Sequence, residues 1–126
     1  MRGQYLLDSN VLFWLNSEPG RIPAGVIAKV DAADAVYFSA ASAWELAIKQ
    51  SLGKLRMRGS IAAFAARARF LELVVTTKLA EAAAQLPMHH RDPFDRMIVA
   101  QAMDEDLTLI TADRRLAEYD VRTLRV

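Results

Sequence analysis

Gln4-Tyr5-Leu6-Leu7-Asp8-Ser9-Asn10-Val11-Leu12-Phe13-Trp14-Leu15 passes from one short apolar run to another across a single acid. The first run reads as a strand that stops at Asp8, and Val11 to Leu15 reads as one or two helical turns. A strand leading directly into a helix opens an α/β unit, and the chain repeats the move. Ala35 to Phe38 is a second strand, followed by a helix over residues 39–50 with Gly53 as its C′ glycine. Leu107 to Ile110 alternates threonine with aliphatics as another strand, ends on Thr111-Ala112-Asp113, and yields to a short helix from Arg114. Leu73 to Val75 and Val121 to Val126 supply further strands. Pro23 opens one helix, Pro93 another, and Ser60 to Phe70 and Lys78 to Leu86 are helical by spacing. Strands alternating with helices give an α/β fold, with a mainly parallel central sheet flanked by helices on both faces.

The 126 residues suit one domain, 1–126, with a single continuous core. Hydrophobic residues make up 53% and charged ones 25%, a globular composition without low-complexity stretches. The net charge of +1 excludes a strong global attraction to nucleic acid, so any such attraction depends on how the charges are placed. With no cysteine, disulfides, thiolate catalysis and thiolate metal sites drop out. No apolar run approaches the roughly 18 residues of a membrane span, and the strand pattern begins too early for a signal peptide. The expectation is a soluble cytoplasmic protein with no membrane role.

Four acids come from four separate segments. Asp8 and Asp113 stand at strand carboxyl ends, the edge of an open α/β sheet where ligands collect. Asp95 follows Pro93 in the first turn of a helix whose apolar face is Phe94, Met97, Ile98 and Ala102. Glu45 shares a helix face with Ser42 and Lys49. Each also has a purely structural reading. Asp8 is placed to cap a helix, Asp95 gains from the helix dipole, and Asp92 before Pro93 is a natural N-cap. Ser42-Ala43-Trp44-Glu45 matches a capping box, and Glu45 with Lys49 matches an i,i+4 ion pair. In a parallel sheet, however, both strand ends lie on one edge together with the helix heads, and the four carboxylates converge there. Like charges about 4 Å apart repel by on the order of 4 kcal/mol at intermediate dielectric, so such a cluster needs a cation or shifted pKa values. An all-oxygen ligand set favours Mg²⁺ or Mn²⁺ over zinc. His89 and His90 are the rival ligands; adjacent histidines on a loop before a helix read as surface or packing residues, and no His-Glu-x-x-His spacing exists.

Leu7-Asp8-Ser9-Asn10-Val11-Leu12, Ser42-Ala43-Trp44-Glu45-Leu46-Ala47-Ile48-Lys49, His89-His90-Arg91-Asp92-Pro93-Phe94-Asp95-Arg96 and Ile110-Thr111-Ala112-Asp113-Arg114, in this order, resemble the PIN-domain family. Within that family they resemble the VapC toxins of type II toxin–antitoxin systems. The resemblance spans nearly the whole chain, and the family's acidic positions fall on Asp8, Glu45, Asp95 and Asp113. Asp92 is an additional acid, and Ser9 stands where many members carry threonine. The resemblance implies a Mg²⁺- or Mn²⁺-dependent endoribonuclease acting as a toxin, with RNA as substrate and a metal-activated water as nucleophile. Asp8, Asp95 and Asp113 would hold the metal, Glu45 would ligate it or orient the water, and Ser9 and Asn10 would support Asp8. Lys49, Arg91, Arg96 and Arg114 are the candidates for binding phosphate.

A homodimer and a VapB-like antitoxin are implied as partners. Trp14, Trp44, Phe64 and Phe70 are candidates for an antitoxin groove, or simply for the core. Two alternatives stand beside this reading: a PIN nuclease of RNA processing without an antitoxin, and a weakly catalytic module that binds a DNA-binding antitoxin.

Overall fold

The computed structural model describes residues 3–126. Its elements in chain order are β1 (Gln4–Leu7), α1 (Ser9–Ser17), α2 (Ala24–Ala32), β2 (Ala35–Ser39), α3 (Ala40–Ser51), α4 (Ile61–Ala68), β3 (Leu71–Leu73), α5 (Thr77–Ala84), α6 (Pro93–Glu105), β4 (Thr108–Thr111) and β5 (Thr123–Arg125). Single 3₁₀ stretches follow α1 (Pro19–Arg21) and β4 (Arg114–Glu118). The sheet order is β3-β2-β1-β4-β5, and every neighbouring pair is parallel. This is the expected architecture. From the central strand β1 the chain moves outward through β2 and β3, then returns to build β4 and β5 on the other side. The crevice between β1 and β4 is therefore the topological switch point, where open α/β sheets place their ligands.

Alternation along the strands divides the core between the two faces. Leu7 and Ile110, in register, join Val36 and Phe38 under α1, α2, α3 and α4. Leu6 and Leu109, also in register, face Ile98, Val99 and Ala102 of α6 with Leu116 and Tyr119 beyond them. A third cluster, Ala41, Ala83, Met97 and Ala100, locks α3 and α5 onto α6. Small alanines let these helices approach closely.

The sequence-derived boundaries shift by a few residues. β3 lies two residues earlier than expected, at Leu71–Leu73, and β5 is confined to Thr123–Arg125. Gly53 takes the expected C′ position after α3, with φ +73. The capping box does not form. Ser39, not Ser42, caps α3 by accepting from the Ala41 N–H, and this places Ser42 inside the helix, fully buried. The Lys49–Glu45 ion pair does form, at 2.9 Å. Trp14, Phe64 and Phe70 pack half-buried against the core, whereas Trp44 is 65% exposed.

Candidate metal centre

At the carboxyl edge of the sheet, Asp8 leaves β1 and caps α1. Its Oδ1 accepts from the Val11 N–H at 2.8 Å, and its Oδ2 accepts from Thr111 Oγ1 at 2.5 Å. Thr111 is the last residue of β4, so this bond ties the ends of the two strands that flank the switch point. Thr111 Oγ1 also accepts from the Asp113 N–H at 3.0 Å, which places the second strand-end acid beside the first. Ser9 is buried, but its hydroxyl donates to Ser42 Oγ at 3.0 Å and fastens α1 to α3. Asn10 is exposed. The support for Asp8 expected from Ser9 and Asn10 thus comes from Thr111 and the helix backbone, because a parallel neighbour strand brings Thr111 closer than the helix turn brings its own side chains.

Glu45 approaches from α3. It is buried, with Oε2 paired to Lys49 Nζ and Oε1 without a hydrogen-bond partner among the described residues. Asp92 caps α6, accepting from the Phe94 and Asp95 N–H groups, and the next turn presents Asp95. Burial pushes the Asp95 carboxyl up to about 7, with the negative charges of Asp92, Asp8, Glu45 and Asp113 adding to the rise. Burial likewise raises Asp8 to about 6, against the Thr111 and Val11 hydrogen bonds and with Asp113 and Glu45 reinforcing it. Asp113 behaves differently. Burial pushes it up, but the hydrogen bonds and charge of Arg115 together with His90 outweigh burial and leave its carboxyl below the ordinary range. The four acids from four segments therefore feel one another's charge at one edge.

His90 is the residue that sequence reasoning set aside. It is buried, its Nε2 lies 3.1 Å from Asp95 Oδ2 and 3.0 Å from Asp113 Oδ2, and one donor atom each from His90, Asp95 and Asp113 lie within 4.8 Å of one another. Its backbone is held as well, the N–H by Tyr119 Oη and the carbonyl by Arg96. The pairing with Asp113 depends on a segment 23 residues away, so the dipeptide His89-His90 carries no trace of it. His89, by contrast, is exposed against Glu118.

Arg96 is a second correction. Its guanidinium is buried and donates to the carbonyls of Ala83, Ala84, Leu86, Pro87 and His90, clamping the end of α5 and the loop that follows it. A fork spent on five backbone acceptors has no role as a phosphate contact. One residue along a helix is a turn of about 100°, and that step separates Arg96 from Asp95 despite their adjacency. Lys49 pairs with Glu45 with its side chain 39% exposed, and Arg91 and Arg114 are exposed. The arginine that closes on Asp113 is Arg115, through Nε to Oδ1 at 3.2 Å and Nη2 to Oδ2 at 3.1 Å. The exposed Trp44 ring meets Phe94 edge-on, with centroids 5.5 Å apart.

Comparison with known proteins agrees with this geometry. The PIN domain family matches residues 5–122. Ribonuclease VapC22 of Mycobacterium tuberculosis is 31% identical over 117 residues, covering 90% of each chain. Among solved structures, FitAcB from Neisseria gonorrhoeae superposes with a TM-score of 0.61 at 26% identity, over 95% of this chain and 96% of that one. VapBC2 from Rickettsia felis, bound to a DNA fragment from its promoter, superposes with a TM-score of 0.68 at 15% identity, over 97% and 98%. With a match over nearly its whole length and the acids gathered at the switch point, the chain belongs to the PIN-domain family, and to the VapC proteins within it.

Proposed function

We propose that this chain is a divalent-cation-dependent endoribonuclease and the toxin of a toxin–antitoxin pair. The observation that carries the reading is the convergence of Asp8, Glu45, Asp95 and Asp113 at one edge, with Glu45 Oε1 buried and without a hydrogen-bond partner among the described residues. A buried carboxylate oxygen without a donor is costly unless a cation or ordered water completes it. Two further carboxyls, raised to about 6 and about 7 by burial first and by neighbouring negative charge second, describe a site whose anions are penalised until positive charge arrives. The donors are oxygens, which suit Mg²⁺ or Mn²⁺. Asp8, Asp95 and Asp113 would hold the ion, with Glu45 ligating it or orienting the attacking water. Such an ion supplies a lowered pKa for bound water and neutralises charge on the phosphoryl oxygens.

The chain's own residues do the rest. Thr111 and the Val11 N–H fix both oxygens of Asp8. Lys49 and Arg115, each bonded to an acid of the cluster, border it with positive charge for a polyanion. Trp44 offers an exposed ring to an unstacked base, the form in which single-stranded RNA is commonly read. The name of the Mycobacterium tuberculosis relative, a ribonuclease, supports RNA as the substrate. The Rickettsia felis and Salmonella typhimurium proteins of this fold were solved as VapBC on DNA, which supports a VapB-like antitoxin as the partner here. A homodimer and a cytoplasmic location belong to the same proposal. No helix among the described residues is long and apolar enough to cross a membrane.

The test is cleavage of total cellular RNA by the purified chain with Mg²⁺, with Mn²⁺ and with chelator, beside an Asp8→Asn control. Metal-dependent cuts lost in the control are expected. A folded, antitoxin-free chain that leaves RNA intact would overturn the nuclease reading and favour a module that only binds its antitoxin.

A further inference from the structure

The contacts of His90 determine which of its ring nitrogens carries the proton. Nδ1 lies 3.0 Å from the Asp92 backbone nitrogen, whose hydrogen is always present. That N–H donates into the ring, so Nδ1 is an acceptor and the proton sits on Nε2. Nε2 in turn points between Asp95 Oδ2 and Asp113 Oδ2, at 3.1 Å and 3.0 Å. Asp113, whose carboxyl lies below the ordinary range, is an acceptor there, which agrees with an N–H on Nε2 and disagrees with a bare lone pair. A half-turn of the ring would forfeit the contacts of both nitrogens in a side chain buried away from solvent.

We propose that His90 is the positioning residue of the acid cluster. Its Nε2–H, held in that tautomer by the Asp92 amide, donates to the Asp113 carboxylate and lies 3.1 Å from Asp95 Oδ2, so that one ring nitrogen holds the two acids beside each other before a cation binds. The inference rests on the metal-dependent reading of the cluster and adds the residue that prepares it. A lysine or arginine in this place would bring a full positive charge and oppose a divalent ion; a bound N–H offsets the repulsion of two carboxylates through a dipole alone. Each carboxylate has about four lone-pair sites, so accepting from His90 leaves capacity for a cation. The tautomer also withholds the nitrogen lone pair that zinc would take, leaving an oxygen site suited to hard ions.

The first test reads the tautomer without metal or RNA. In long-range ¹H–¹⁵N correlation spectra of the cation-free chain, His90 is expected to show a protonated Nε2 and an unprotonated Nδ1, unchanged on adding Mg²⁺. The reverse tautomer, or a switch when Mg²⁺ binds, would overturn the proposal. The second test is calorimetric titration of Mn²⁺. His90→Ala is expected to weaken affinity about 10- to 100-fold, the usual effect of losing a residue that orients ligands, and His90→Gln, which keeps a donor N–H, to recover most of it. Equal losses in the two variants, both folded by circular dichroism, would contradict a donor role. If the alanine variant does not fold, the spectra of the unmodified chain decide. The expected tautomer in a chain that cleaves no RNA would leave His90 in place and remove the nuclease reading; RNA cleavage with the reverse tautomer would do the opposite.

Discussion

At the residue scale, the site is a set of carboxylates whose charges conflict. Asp95 carries the sharpest conflict, with burial and four neighbouring acids raising its carboxyl to about 7. Asparagine keeps its shape and removes its charge. Asp95→Asn should therefore abolish cation-dependent cleavage, yet raise the cation-free chain's stability near pH 8 by about 1–3 kcal/mol, several degrees in Tm. Thermal melts in chelator check this, and an unchanged or lowered Tm would mean that Asp95 bears no repulsion. Asp8, Asp95 and Asp113 were legible in the sequence because strand ends and first helical turns fix where a side chain starts, and Glu45 because it shares a helix face with Ser42 and Lys49. Thr111 and His90 were not, since each acquires its role from a partner on another segment, such as Thr111 from Asp8, 103 residues away, and Arg115 was hidden by the equally placed Arg114 beside it. Arg96 misled for the complementary reason: sequence adjacency to Asp95 carries no information about which way a helix turns its side chains.

At the scale of elements, α6 joins structure and chemistry. Asp92 caps it, Asp95 serves the site, and Arg96 reaches back to hold the end of α5. Removing that clamp takes a charged donor from the carbonyls of Ala83, Ala84 and Leu86 and leaves those of Pro87 and His90 only Tyr119, so Arg96→Ala should destabilise the fold by ~3 kcal/mol in urea denaturation. A phosphate-binding arginine would instead raise KM for RNA with little loss of stability. The ring of Trp44 on α3 allows the opposite prediction. Being exposed and touching Phe94 only at its edge, it contributes little to folding. Trp44→Ala should raise KM for single-stranded RNA about tenfold while Trp44→Phe retains most of the affinity, measured in steady-state cleavage. The order of elements could be read from hydrophobic periodicity, and their ends could not. Ser39 and Ser42 both make plausible caps for α3; Ser39 caps it by accepting from the Ala41 N–H, and Ser42, inside the helix, accepts from Ser9.

At the scale of the whole molecule, the sheet order brings the ends of β1 and β4 together and the acids with them. That convergence makes stability depend on pH. Asp8 and Asp95 titrate higher in the folded chain, at about 6 and about 7, than the ordinary 3.8, so the folded state holds protons that the unfolded state releases. Their contribution is present at low pH and is lost as pH rises from about 4 through about 7. Asp113 has the opposite sign, contributing above its ordinary range and losing that contribution on acidification. With two raised groups against one lowered, the cation-free chain should melt several degrees lower at about pH 8 than at about pH 5.5. Mn²⁺ should restore stability at the higher pH and do little at the lower, where protons already occupy the carboxylates.

The most direct measurement of a shared cation site is calorimetric titration of Mn²⁺ into the chain near pH 8, alongside Asp95→Asn. Saturable binding, weakened at least tenfold by the substitution, is the predicted result. Absence of binding at millimolar Mn²⁺, or equal affinity in the two proteins, would contradict the account.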